Sequence, residues 1–284
     1  MENTQKRELV LNTLRYFVHS RKAQTFINML FVLDAFRFLG EEIPEIETIL
    51  REFSNIQSAD GTWKTGQEHY VPITAQAFIL YRHLGITPEK SLDPFLKTID
   101  TWEKTLAHNE KFDPGNFWGG LWGYVGCYLV VGQRPPWIDK FLAAVHERFD
   151  EWASDNHQRS HVIISLLQLQ EPVPRAEEII TQTLQDQMPS GRWTAESWNP
   201  AVPQTAFGIG TLRVLDTQGR RETKVAVERG VAFMEQCFKV TNWKGKECGG
   251  YAEEVDGLYP DPLATALAIQ VQLSVDEMKK WTLL

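Results

Sequence analysis

The 284 residues are 43% hydrophobic and carry 37 acidic against 29 basic side chains, a net charge of −8 with a pI near 5.5. A chain of this length buries a large core without disulfide support, and its acidic balance, with no concentrated Lys/Arg stripe, argues against a nucleic-acid partner. Cys127, Cys237 and Cys248 are odd in number and lack CxxC spacing, so neither a disulfide set nor a thiolate zinc cluster is expected.

The first residues, Met1 to Glu8, are charged and no apolar signal stretch follows them. No run reaches the roughly 18 apolar residues of a membrane span, so a cytoplasmic protein is expected. Beyond this point a unit recurs along the chain: an apolar helical run, a stop, a second helical run, then a Gly/Trp-rich loop. The stops are Phe38-Leu39-Gly40 before Pro44, His83-Leu84-Gly85 before Pro88, Val131-Gly132 before Pro135-Pro136, Leu169-Gln170 before Pro172, and Asp216 to Gly219. Glycine supplies the left-handed residue that ends a helix, and proline just beyond it suits the first turn of the next.

Six runs are apolar on nearly all sides and are expected as inner helices: 25–39, 71–84, 121–131, 161–170, 202–215 and 262–273. The alternating runs 45–53, 94–106, 136–152, 175–184 and 221–238 are charged on one face and are expected as outer helices. Sustained period-two alternation and an Asn-Gly or Asp-Gly hairpin signal are both lacking. With a spacing of roughly 40 to 50 residues and about six helix pairs, the expected fold is a single all-α domain over 1–284: an (α/α)6 barrel, or toroid, of two concentric rings.

Ten tryptophans are many for such a chain, and several lie beside glycine in the loops between pairs. Two readings stay open: each caps a joint between adjacent pairs, or some line a central cavity. Trp63, Trp118, Trp122, Trp193, Trp198 and Tyr251 are the candidate cavity residues.

Three inner helices begin alike, with Val71-Pro72-Ile73-Thr74-Ala75, Val202-Pro203-Gln204-Thr205-Ala206 and Pro262-Leu263-Ala264-Thr265-Ala266. Together with the Gly-x-Trp loops, these starts resemble the α/α-barrel superfamily of class II terpene cyclases, squalene-hopene-type cyclases and protein prenyltransferase β-subunits, over nearly the whole chain. Gly249-Gly250-Tyr251 followed by Asp261 to Ala266 is similar to the last repeat of the β-subunits. The resemblance implies a zinc-binding His just before the Thr and an Asp-x-Cys elsewhere. Here Ala264 stands at the His position and no Asp-x-Cys occurs, so no metal site and no cofactor are expected. Class II cyclases carry an Asp-x-Asp-Asp-Thr-Ala acid motif. Asp261 matches its first Asp, while Leu263 and Ala264 replace the other two.

A cyclase of this kind therefore needs another acid, a carboxyl held neutral in an apolar pocket where burial raises its pKa. In a toroid the loops before the inner helices meet at one end and bring together Asp261, Glu68, His69 and Glu196. Asp261 leads because it precedes Pro262 at a helix start, where its alternative role is a helix cap. Glu68-His69 follows, and Glu196 lies between Trp193 and Trp198, an aromatic setting that would desolvate it. His157 and His161, four apart, have a metal-like spacing without a companion carboxylate.

Three functions remain in view. The first is an isoprenoid-handling, cyclase-like enzyme that starts on a proton and steers carbocations with aromatic faces. The second is a non-catalytic binder of apolar ligands derived from the same fold. The third is a carbohydrate-active α/α-barrel enzyme with tryptophan platforms and paired carboxylates. The expected partner is an apolar, isoprenoid-like small molecule, reached from a bilayer by transient contact with the membrane surface. No DDxxD motif or Gly-rich phosphate loop supports ionisation-dependent chemistry.

Overall fold

A computed structural model describes residues 3–20, 25–64, 70–112 and 117–273. Among them the chain forms, in order, α1 (Asn3–Ser20), α2 (Phe26–Phe38), α3 (Ile46–Ile56), α4 (Tyr70–His83), α5 (Asp93–Leu96), α6 (Trp102–Phe112) and α7 (Phe117–Val130). There follow α8 (Ile138–Glu147), α9 (Phe149–Ala153), α10 (Asn156–Gln168), α11 (Ala176–Gln185), α12 (Ala201–Leu215) and α13 (Arg221–Gln236). The hairpin β1 (Phe238–Trp243) and β2 (Lys246–Tyr251) precedes the final helix α14 (Pro262–Gln270). The protein is mostly helical, as expected, and no described helix is long and apolar enough to cross a membrane.

The expected stops hold. Gly40, Gly85, Gly132, Gln170 and Gly219 all take left-handed backbone, with φ between 60° and 76°. The helices gather into two compact units, one from Met1–Glu45 with Ala176–Met278 and the other from Ile46–Arg175. In the first, α14 packs between α2 and α12, with α13 behind α12 and β2 against α1; in the second, α7 packs between α4 and α10. The apolar runs thus form the central helices of each unit, buried on successive positions, while α3, α8, α11 and α13 bury one face.

Three expectations need correction. The stretch 94–106 is not one helix: it breaks into α5, a 3-10 turn Lys97–Ile99, and α6. The Ile99 carbonyl accepts from Thr105 Oγ1, Trp137 Nε1 and Tyr128 OH, and Leu96 also accepts from Tyr128, so side chains take the carbonyls that a continuing helix would use. Similarly, 136–152 divides at Arg148 into α8 and α9. The stretch Phe117 to Gly120, ahead of the inner helix expected over 121–131, already belongs to α7. Its glycines serve close packing: a Cβ on Gly123 would overlap the backbone of Pro72 on α4.

The hairpin was not expected. Lys244 (φ 52°) and Gly245 (φ 84°) form its two-residue loop with both φ positive, the conformation that matches strand twist, and Asn242 Oδ1 accepts from the Gly245 N–H at 2.9 Å. Lysine at the first loop position conceals the usual Asn-Gly signal.

One joint recurs in both units. Trp63 donates its indole N–H to Phe53 O at 2.9 Å and its backbone N–H to Thr74 Oγ1 at 3.0 Å. Trp193 does the same to Thr183 O at 2.7 Å and Thr205 Oγ1 at 3.4 Å. Tyr251 donates its backbone N–H to Thr265 Oγ1 at 3.0 Å. Gln57 clamps the first loop through the carbonyls of Gly61 and Lys90, and Gln187 clamps the second through those of Gly191 and Ala226. Gly61 and Gly191 sit at φ 87° and 94°, where a Cβ would overlap the carbonyls of Ser91 and Arg229.

All three threonines are fully buried, so a lost hydroxyl leaves an orphaned N–H in the core. Thr74→Val is expected to cost about 1–3 kcal/mol in urea unfolding, while Thr74→Ser stays close to the parent; equal midpoints for Val and parent would show that the bond carries no stability.

Candidate functional site

The nominated residues fall at separate places in the two units. In the first unit, Asp261 caps α14: its carboxylate accepts the Ala264 N–H at 2.8 Å, and its own N–H donates to Tyr251 O at 2.8 Å. Burial pushes the Asp261 carboxyl above its ordinary pKa, against the backbone N–H groups of Ala264 and Leu263 that favour the anion. The neighbouring loop docks onto the start of α12. Val202 donates its N–H to Glu253 O at 3.0 Å, Ala201 donates to Glu254 Oε1 at 3.0 Å, and Arg192 reaches Glu254 Oε2 at 3.3 Å. Glu253 and Glu254 thus tie the loop that leads to Asp261 to Arg192 and to the first turn of α12. Glu253 is also pushed upward, first by desolvation and then by the nearby charges of Asp261 and Glu254.

Glu196, expected in a desolvating aromatic setting, is exposed to solvent. Glu68 and His69 lie outside the described residues. Trp63, Trp118, Trp193 and Tyr251 are between 0% and 2% exposed, so protein atoms cover their faces and they present no surface for a ligand. The burial of Trp63 and Trp193 follows from the joint: a tryptophan whose two N–H groups are both satisfied by framework oxygens is a core residue. The Tyr251 hydroxyl is likewise engaged, accepting from Lys6 Nζ at 2.7 Å and Gln272 Nε2 at 3.0 Å and donating to Glu235 at 2.9 Å. Of the six, Trp122 and Trp198 are half-buried. Trp198 lies against Phe207 with centroids 6.3 Å apart; Trp122 lies 5.8 Å from His161 and buries its indole N–H without an acceptor.

The second unit holds a polar constellation that the sequence reading missed. His108, on α6, meets the Tyr70 hydroxyl through Nε2 at 2.8 Å and the Tyr124 hydroxyl through Nδ1 at 2.7 Å. Phe95, Phe112 and both tyrosine rings enclose the imidazole, with centroids 4.6 to 5.9 Å away. Burial, then the charges of Lys111 and Lys64, lower the His108 pKa to about 4, and burial raises that of Tyr70. The neutral ring holds one proton, so one tyrosine donates to it while the other accepts from it. The two tautomers of the ring exchange which tyrosine donates and which accepts. Sequence spacing gave no signal for it, because the three residues come from α4, α6 and α7.

His157 and His161 do share a helix side, with ring centroids 4.5 Å apart, but the His161 Nδ1 is spent on the His157 carbonyl at 3.1 Å. Among the described residues no group of three or more His, Cys, Asp or Glu stands together as a metal site. No family model, curated protein or solved structure matches the chain.

The lowered His108 pKa fixes a sign. Below its unfolded value of 6.5, the unfolded chain binds a proton that the folded chain refuses until about pH 4. Stability is therefore lost as pH falls from 6.5 to 4 and is retained in full above that window. His108→Gln is expected to flatten this part of the urea-midpoint profile; an unchanged slope would mean that His108 titrates normally.

Proposed function

We propose that the helix pairs close into an (α/α)6 toroid of the cyclase and prenyltransferase type, and that the chain is an isoprenoid-handling, cyclase-like enzyme with Asp261 as its proton donor. The carrying observation is the setting of that carboxyl: half-buried at the first turn of the third Thr-Ala helix, with a backbone N–H at 2.8 Å. Burial favours the neutral acid that protonation of an alkene requires. After transfer, the Ala264 N–H and the positive end of α14 stabilise the carboxylate left behind. The π electrons of one alkene form the new C–H bond and leave a carbocation, and the π electrons of a second alkene close the ring onto it. The cyclised cation is discharged by losing a proton to the Asp261 carboxylate or by capturing water, which gives up its proton to that carboxylate. Trp198 and Phe207, both half-buried, belong to the same unit as Asp261 and supply a quadrupole for positive charge.

The alternative is a non-catalytic binder of apolar ligands. Two observations favour it: Asp261 is spent as a cap, and the buried aromatics are spent on the joints. Apolar ligand that co-purifies and never turns over would select this reading.

Asparagine caps a helix as well as aspartate does but has no proton to give, so Asp261→Asn separates the roles. Gas chromatography–mass spectrometry with short and long polyprenyl substrates, with and without diphosphate and chelator, should show a cyclic product from the parent. Asp261→Asn should lose at least about 100-fold in turnover with unchanged helical circular dichroism. Full activity in that variant removes Asp261 from the mechanism.

A further inference from the structure

The N-terminal helix and the hairpin enclose a second kind of site in the first unit. Asn12, Arg15 and Tyr16 on α1 face Trp243, Lys244 and Lys246 of the hairpin across an open groove of about 300 Å³. Three features of this groove are independent of Asp261 and of the aromatic joints.

The first is charge. Lys244 and Lys246 flank the turn glycine and have no ion pair among the described residues, Arg15 meets Glu8 only at 3.9 Å, and no carboxylate lines the groove. His19, at the rim, is held by Glu45 at 2.6 Å. Uncompensated cations on a chain of net charge −8 repel one another, and an anion between them removes that repulsion. The second is an aromatic platform. Tyr16 and Trp243 stack with centroids 4.4 Å apart and planes 22° from parallel, Phe17 packs against Trp243 at 5.5 Å, and both stacked residues are only half-buried, so part of the stack is exposed to a planar group.

The third is an unmet acceptor. Asn12 is only 8% exposed, and its Nδ2 donates to Glu247 O at 3.0 Å. That bond orients the amide and leaves Oδ1 buried with no donor. A buried acceptor without a partner costs free energy that a ligand N–H or O–H recovers.

We propose that this groove binds a small phosphate ester carrying a planar ring with a hydrogen-bond donor, the chemistry of a nucleoside monophosphate. The phosphate sits among Lys244, Lys246 and Arg15, the ring continues the Tyr16–Trp243 stack, and a ring or sugar donor meets Asn12 Oδ1. The volume suits a mononucleotide and is small for a dinucleotide, at the lower end of the roughly 300–1,000 Å³ of ligand pockets.

Isothermal titration of the full chain with AMP, GMP, CMP, UMP, adenosine and inorganic phosphate tests this. At least one nucleotide should bind about tenfold or more tightly than phosphate or adenosine alone, and more weakly as salt is raised. The double variant Lys244→Gln/Lys246→Gln, both exposed and without ion pairs, should lose about tenfold in affinity with its circular dichroism unchanged. Trp243→Leu should weaken the nucleotide but not inorganic phosphate. The proposal is overturned if no nucleotide binds, if phosphate alone binds equally well, or if the double variant retains full affinity.

Discussion

A threonine hydroxyl that accepts the backbone N–H of an aromatic residue is the contact on which the architecture turns. Each Gly-x-Trp loop passes from a peripheral helix into the interior, where an unpaired N–H would cost more than most single side-chain contacts return. Thr74, Thr205 and Thr265 take that N–H at the start of three central helices. Around the bond the other loop requirements follow. Gln57 and Gln187 clamp the loop carbonyls, glycine is needed where the loop meets the carbonyl of Ser91 or Arg229, and tryptophan fills the joint. The Thr-Ala starts thus have a complete structural explanation that requires no ligand.

The chemistry that remains is shaped by desolvation acting on groups of opposite sign. Burial raises the pKa of Asp261 and lowers that of His108, favouring the uncharged form of each. Their partners then set the contrast. Asp261 faces backbone N–H groups that receive a negative charge, whereas His108 faces two neutral hydroxyls, one donating and one accepting. The groove between α1 and the hairpin is different again: its lysines are exposed, and its unpaired buried atom is a neutral amide oxygen.

Much of the helical plan was legible because it rests on local rules. Gly40, Gly85, Gly132 and Gly219 end helices in left-handed backbone, and Gln170 does so without glycine. The apolar runs became the central helices because a helix greasy on all sides has no solvent face. The reading failed where a distant group overruled local preference. Carbonyls of Leu96 and Ile99 are captured by side chains from α6, α7 and the α8 entry, which breaks a helix that periodicity would continue. Within α7, Gly123 is required by a partner from another helix, since Pro72 of α4 comes too close there for a Cβ. The β1–β2 turn carries lysine where asparagine is the usual signal.

Sequence by itself determined the helical class, the places where helices stop, the repeated Gly-x-Trp and Thr-Ala phases, and Asp261 as a helix-start carboxyl, because each depends on neighbours within a few residues. Tertiary structure alone decided that Trp63 and Trp193 face framework carbonyls and no open surface, and that His108 lies between two tyrosines. It also decided that Asn12 and the hairpin lysines share a groove. Those outcomes depend on burial and on partners brought from other helices, and neither composition nor spacing encodes which atoms a fold will place within 3 Å of one another.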